Sequence, residues 1–446
     1  MTNMHQENER KYIHTESTHL LRKTGYRKRK LATKLRKVVV MVSCIMQLII
    51  TSGIGYGLSV MYAELVIVFN AKRADAALIQ SLNMGLSCSS GIIFTSLIDR
   101  LGPGKSIVIG GIVSSLGLFL SAFAHGLTLI ILCTGVLSGV AMSINFLSAF
   151  MTTSFMFPNS ASLFLIILTS GHSIGQFIVP LLYELFISQY SWSGAFILIS
   201  GISLHYIPCG LVIHCSKDYF VTERKSHTNT SNTFCDKTLL RDVVVWILMV
   251  TCLVQYITFN VESWFIVDHM VSRGFTRESG SMLVSSLGIG SFIGRFLGGI
   301  LQYAIKWPTV YHWVYLCTLT AGLHALIINL NEFWSLFVSC VMYGILFAVT
   351  SAQLPAIVFE ASGHERYPRA MALINIACGL GDTLGPILGG FIKDIFGEYD
   401  VVFYIAAGGS LFISGTAIII SCIINYRKFR SESDILAFDV EYKTLK

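Results

Sequence analysis

The chain has 446 residues, 53% of them hydrophobic and only 13% charged, with a formal net charge of +7 and a mean hydropathy of +0.66. A soluble globular protein carries roughly 25% charged residues, so this composition excludes that class and points to an integral membrane protein. The apolar runs are about 20 residues long and do not alternate in and out, which excludes a barrel and predicts spanning helices.

Residues 1–37 are polar and basic, with eleven Lys and Arg. They hold no early apolar core, so no cleaved signal peptide is expected. The basic tail reads as a topology determinant, with contact to anionic lipid as the alternative. Twelve apolar runs follow, at 38–63, 77–98, 106–124, 127–150, 162–187, 194–215, 243–267, 280–303, 309–329, 333–358, 370–392 and 402–426. The longest gap, 216–242, divides them into an N-terminal half, 38–215, and a C-terminal half, 243–426, before a tail at 427–446. With both tails in the cytosol, 26 of the 32 Lys and Arg fall on the inner side. Lys72, Arg73, Arg273, Arg277 and Lys393 fall outside, an asymmetry that predicts cytoplasmic termini. The sequon Asn229-Thr230-Ser231 then lies in the cytosolic central loop and is expected to carry no glycan. Ten of the eleven cysteines lie in or at the ends of apolar runs, Cys235 lies in the central loop, and no two have metal-ligand spacing. They read as small apolar packing residues.

Run eight, GSMLVSSLGIGSFIGRFLGGILQY, carries a charge at its centre, Arg295. A guanidinium at bilayer depth costs about 2.5–3.5 kcal/mol on insertion scales. Gly288, Gly290, Gly294, Gly298 and Gly299 surround it and let other helices approach closely. The helix should therefore turn Arg295 to protein or a wet cavity, where its planar fork could clamp a substrate carboxylate. The plainer alternative is hydrogen bonding within the bundle. Glu262, in ITFNVESWF of run seven, is a candidate counter-charge for Arg295 or for a cationic substrate group, unless it sits in water at the outer mouth.

The halves repeat one another. GHSIGQFIVPLLYE from Gly171 aligns with GDTLGPILGGFIKD from Gly381, so that His172 meets Asp382 and Glu184 meets Asp394. Ser81-Leu82-x-Met84-Gly85 likewise parallels Ser286-Leu287-x-Ile289-Gly290. His172 and Asp382 are both titratable and flanked by small residues, which makes them proton-coupling candidates. Their alternative is polar groups satisfied by neighbouring helices. Two parallel six-helix repeats predict the major-facilitator architecture.

Asp99-Arg100-Leu101-Gly102, between runs two and three, resembles the signature loop of the major facilitator superfamily. More narrowly, the chain resembles the monocarboxylate transporter family, solute carrier family 16. Run one has SGIGYGLSVMYAEL; Pro180 is followed by Tyr190-x-Trp192-x-Gly194-Ala195-Phe196; runs eleven and twelve share GPILGGFIKDIFGEYDVVFYIAAG. The resemblance implies an all-α, twelve-helix membrane protein that moves a small organic solute. It implies a gating latch at Asp99, Arg100 and Gly102, with Asp394 and Gly397 as outer-side counterparts. The chain departs from the family in three places. The acidic-glycine-tryptophan motif before helix one is absent, since RKVVVMVSC stands there. Tyr56 stands where proton-coupled members carry Lys. Ser291 stands where they carry Asp. Both positions remain substrate-site candidates, while proton–monocarboxylate symport loses its usual carriers.

No Walker loop, HExxH, metal-spaced Cys/His set or nucleophile elbow occurs, and the glycine runs lie within apolar helices rather than after a strand. The expectation is a plasma-membrane transporter, not an enzyme, without cofactor or nucleic-acid partner, moving a small organic anion or amino-acid-like solute by alternating access. Its partners are that solute and membrane lipid. The resemblance adds a single-span immunoglobulin-type accessory glycoprotein. The alternatives are an uncoupled carrier of an aromatic or zwitterionic solute, and a non-transporting receptor or scaffold with the same fold.

Overall fold

The computed structural model describes residues 2–157, 161–216, 241–305 and 307–444, and every element among them is a helix. The central loop from 217 to 240, with Asn229 and Cys235, lies outside the described residues. Helices are the physical answer to an apolar solvent, because each backbone N–H and C=O finds its partner within the same segment. Among the described residues ten helices are long and apolar enough to span a membrane, or eleven if the bent pair Arg73–Ser89 and Ile93–Leu101 is one span. One of the ten, Phe164–Cys215, has 52 residues, long enough for two crossings. Ser191 breaks it with φ 59° and ψ 176°, and counting it twice gives the expected twelve.

We number the spans in chain order: α1 Lys34–Val68, α2 73–101, α3 Pro103–Ser121, α4 Leu127–Met156, α5 164–190 and α6 192–215. The second six are α7 Val243–Ser272, α8 Arg277–Leu301, α9 Thr309–Asn329, α10 Phe333–Ser362, α11 Ala370–Phe396 and α12 Asp400–Tyr426. Among the described residues four departures from regular helix were not expected from the sequence, one of them a turn at residues 204–205 within α6. α2 bends by 61° near Ser90, α4 contains a π-helical stretch, Ile131–Ser138, and α7 is interrupted at Asn260, with φ −100° and ψ 3°.

Small residues set the distances between helices, as they do wherever lipid offers no hydrophobic drive for association. A Cβ on Gly175 of α5 would lie 2.3 Å from the Ile49 carbonyl oxygen of α1, so these two backbones touch. A Cβ on Gly85 of α2 would lie 2.9 Å from the Gly379 carbonyl oxygen of α11, which brings the two halves together. Buried hydroxyls are satisfied locally: Ser52 donates to the Leu48 carbonyl at 2.6 Å, and Thr152 to that of Ser148 at 2.7 Å. The loops after α1, α5, α7 and α11 all lie at one end of the bundle, opposite both chain tails; we call it the far end.

Candidate functional site: a central guanidinium and a charged far end

Arg295 projects from α8 towards α5. Its Nε donates to Ser173 Oγ at 2.7 Å, and its Nη2 to His172 Nδ1 at 3.2 Å. Ser173 Oγ in turn donates to Ser291 Oγ of α8 at 3.1 Å. The Tyr56 ring of α1 packs edge-on to His172, with centroids 5.4 Å apart. Four residues picked from the sequence, Arg295, Ser291, His172 and Tyr56, therefore meet between α1, α5 and α8. Ser173 was not among them, because one more serine in a helix rich in small residues carries no signal of its own.

A guanidinium can only donate, so His172 Nδ1 must accept, and the ring is then the neutral Nε2–H tautomer. His172 thus orients Arg295 without placing a second cation beside it. Among the described residues Arg295 joins no ion pair. Two of its five N–H groups are engaged by neutral partners, which leaves donors for an anion.

Asp382 of α11 is buried and accepts from Asn260 Nδ2 at 3.0 Å. The acceptor holds the residue that interrupts α7, so the break is pinned to α11. Cys88 of α2 also reaches Asp382, and Tyr56 lies within electrostatic reach of both Asp382 and Arg295. Glu262 has a different neighbour from the one expected. It is fully buried and faces His324 of α9 rather than Arg295 or water. A lone histidine in an apolar run gave no hint of this.

The far end carries two charge clusters built alike. In the first, Arg277 at the start of α8 binds Glu184 of α5, Nε to Oε2 at 2.6 Å, and Glu64 at the end of α1. In the second, Arg73 at the start of α2 binds Asp268 of α7, Nε to Oδ2 at 2.8 Å. The backbone N–H groups of Arg73 and Ala74 donate to Asp394 of α11 at 3.1 and 3.0 Å. Asp394 there caps the start of α2, where the helix dipole favours a carboxylate. Tyr399 adds its hydroxyl to Asp268 and lies 3.2 Å from that of Tyr62. Gly397 ends α11 with φ +75°, a conformation that favours glycine, and its carbonyl accepts from Lys393 Nζ at 2.6 Å. Each cluster ties one half of the bundle to the other. Of the seven charged residues only Asp394 is a gating candidate in the sequence.

At the opposite end Asp99 and Arg100 are exposed, and Gly102 turns the chain into α3 with φ +83°. Among the described residues no three His, Cys, Asp or Glu side chains form a metal-binding group.

The model of the Major Facilitator Superfamily matches residues 42–311 and 270–435. Monocarboxylate transporter 13 of Rattus norvegicus is 26% identical over 387 residues, covering 86% of this chain and 88% of that protein. Monocarboxylate transporter 6 of Homo sapiens is 23% identical over 397 residues, covering 82% and 78%. Among solved structures, a mutant of the nucleoside transporter NupG superposes with a TM-score of 0.70 at 13% identity, covering 86% of this chain and 99% of that one. A bacterial homolog of the human lysosomal transporter Spinster superposes at 0.64 with 12% identity, covering 87% and 96%. At such identities these two likenesses show the fold. The chain is a multi-pass membrane transporter rather than an enzyme: it belongs to the Major Facilitator Superfamily and is related there to monocarboxylate transporters.

Proposed function

We propose that the chain carries a small monocarboxylate-like organic anion across the plasma membrane by alternating access, with Arg295 as the substrate anchor. The observation that carries this reading is a guanidinium at mid-helix, held by Ser173 and His172 and, among the described residues, joined to no carboxylate. Buried membrane charges usually mark a transport path, and Arg suits a planar carboxylate. A second reading, an amino-acid-like or aromatic zwitterion, draws support from Tyr56, which lies within electrostatic reach of both Arg295 and Asp382. A carboxylate on the first and an ammonium on the second would span such a site. In both readings the far end is the extracellular face, and its two charge clusters form the outer gate.

Counterflow tests the proposal. Purified protein in liposomes preloaded with unlabelled solute should take up the same labelled solute, with L-lactate, pyruvate and aromatic amino acids as the panel. Accumulation of a carboxylate alone supports the anion reading, and accumulation of amino acids supports the zwitterion reading. Absence of counterflow across the panel would favour a receptor or scaffold. The orientation has its own test. Epitope tags at both termini should bind antibody only after permeabilisation, and labelling of intact cells would reverse the assignment of the two faces. A single-span immunoglobulin-type glycoprotein remains part of the proposal as an accessory partner; surface expression should then rise when one is supplied.

A further inference from the structure

We propose that Glu262 and His324 form a proton-binding site inside the C-terminal half, loaded and unloaded as α7 flexes at Asn260. This rests on the transporter reading above and names its coupling ion.

Both side chains are wholly buried, and His324 Nδ1 touches Glu262 Oε1. Beyond that contact, Glu262 Oε2 and His324 Nε2 have no hydrogen-bond partner among the described residues. The groups that face the pair are weakly acidic and neutral in their ordinary state. They are Tyr343 and Cys340 of α10; Cys317 of α9 and Tyr56 of α1 lie near Tyr343, and Ser286 of α8 lies beside Cys340. The Tyr343 ring packs against His324 with centroids 5.1 Å apart, and its hydroxyl donates to the Phe259 carbonyl at 2.6 Å. The same hydroxyl also lies within reach of Glu262.

Charge counting gives the behaviour of such a pair. With one exchangeable proton it is neutral overall, either as carboxylate with imidazolium or as carboxylic acid with imidazole. Removing that proton leaves a bare carboxylate, and adding a second leaves a bare imidazolium. Either buried net charge costs several kcal/mol when no water or counter-ion compensates it. The sealed pair therefore keeps one proton, and exchange with water requires the site to open. His172 and Asp382, the coupling candidates in the sequence, differ in that each already accepts from a fixed donor, Arg295 and Asn260.

The opening device lies on the same segment. Val261–Ser272 follows the break at Asn260 and carries both Glu262 and Asp268. Asp268 holds Arg73 in the far-end gate. Releasing that gate frees the segment to move, and its movement draws Glu262 from His324 on α9. The fold does not require the pair. Six residues before Glu64, where Glu262 stands six before Asp268, α1 has Leu58. The pair belongs to one half only, as a coupling group does and a repeat-wide packing feature does not.

The test uses the full-length protein in liposomes, with L-lactate, pyruvate and the aromatic amino acids as probes, in two modes: counterflow without a gradient, and uptake driven by one unit of pH. A one-proton carrier approaches about tenfold accumulation under that gradient. Wild type is expected to show both activities. Glu262→Gln and His324→Gln are expected to keep counterflow and to lose accumulation, falling to about onefold. Accumulation at the wild-type level in both variants would overturn the proposal. Wild-type counterflow without accumulation would also overturn it, leaving the transport reading intact, whereas wild type without counterflow would remove the transport reading itself. Where a single variant loses counterflow as well, the exchanged pair, Glu262→His with His324→Glu, decides. Restored accumulation supports the proton site, and counterflow without accumulation, or neither, overturns it.

Discussion

Replacing Arg295 by Lys is expected to abolish most substrate uptake while leaving the protein at the membrane in normal amount. Lysine keeps the positive charge and can still donate to Ser173, so the bundle retains its local partner. It loses the planar fork that meets both oxygens of a carboxylate at once. A hydrogen bond to a charged group contributes about 1.5–3 kcal/mol, which corresponds to roughly 10–150-fold in affinity. Ser173→Ala should lose less, because it loosens the position of the guanidinium without removing it. Uptake by Arg295→Lys close to wild type, at equal surface level, would return Arg295 to a structural role.

Arg277→Gln is expected to shift the carrier towards opening at the far end. Among the described residues Arg277 is the one cation shared by Glu64 and Glu184, and all three are only partly exposed. Its removal leaves two like charges facing each other and breaks a tie between α8 and the N-terminal half. For partly buried pairs of this kind a loss of about 1–3 kcal/mol is reasonable, which means a roughly 5–150-fold change in the open population. Amide hydrogen exchange reads such local opening. Exchange across residues 66–74 and 272–280 should accelerate by that factor, while residues 98–105 at the other end should exchange more slowly as that end closes. Arg277→Lys should show the same change to a lesser degree. Unchanged exchange, or acceleration at both ends alike, would mean that the cluster stabilises the fold without gating it.

The spans were legible in the sequence because a bilayer leaves little choice: a run of about 20 apolar residues has to be a helix. The interruptions were not, since Asn260 sits in a run that is apolar on both sides, and its break depends on Asp382 some 122 residues later. In the central site Arg295, Ser291, His172 and Tyr56 were visible for different reasons. The arginine is costly in lipid, the histidine has a repeat partner, and the other two are departures from a known pattern. The far-end clusters were hidden by separation along the chain. Arg277 lies 93 residues from Glu184 and 213 from Glu64, and Arg73 lies 195 from Asp268. Each of these charges, taken alone, reads as the polar end of a span. One signal could have exposed them: the match of Glu184 with Asp394, extended to Glu64 and Asp268 at the ends of the first and seventh runs, marks paired carboxylates in both halves. His324 offered no comparable sign, because its importance comes wholly from Glu262 on another helix.

The central claim is that Arg295 binds the carboxylate of the transported solute. Its most direct test is equilibrium binding to purified protein, comparing each carboxylate of the panel with its primary amide, in wild type and in Arg295→Gln. The amide keeps the size and shape of the ligand and removes its charge. The account predicts that wild type binds the carboxylate at least tenfold more tightly than the amide, and that Arg295→Gln binds the two equally. Equal preference for the carboxylate in both proteins would contradict it and place the anion elsewhere in the bundle.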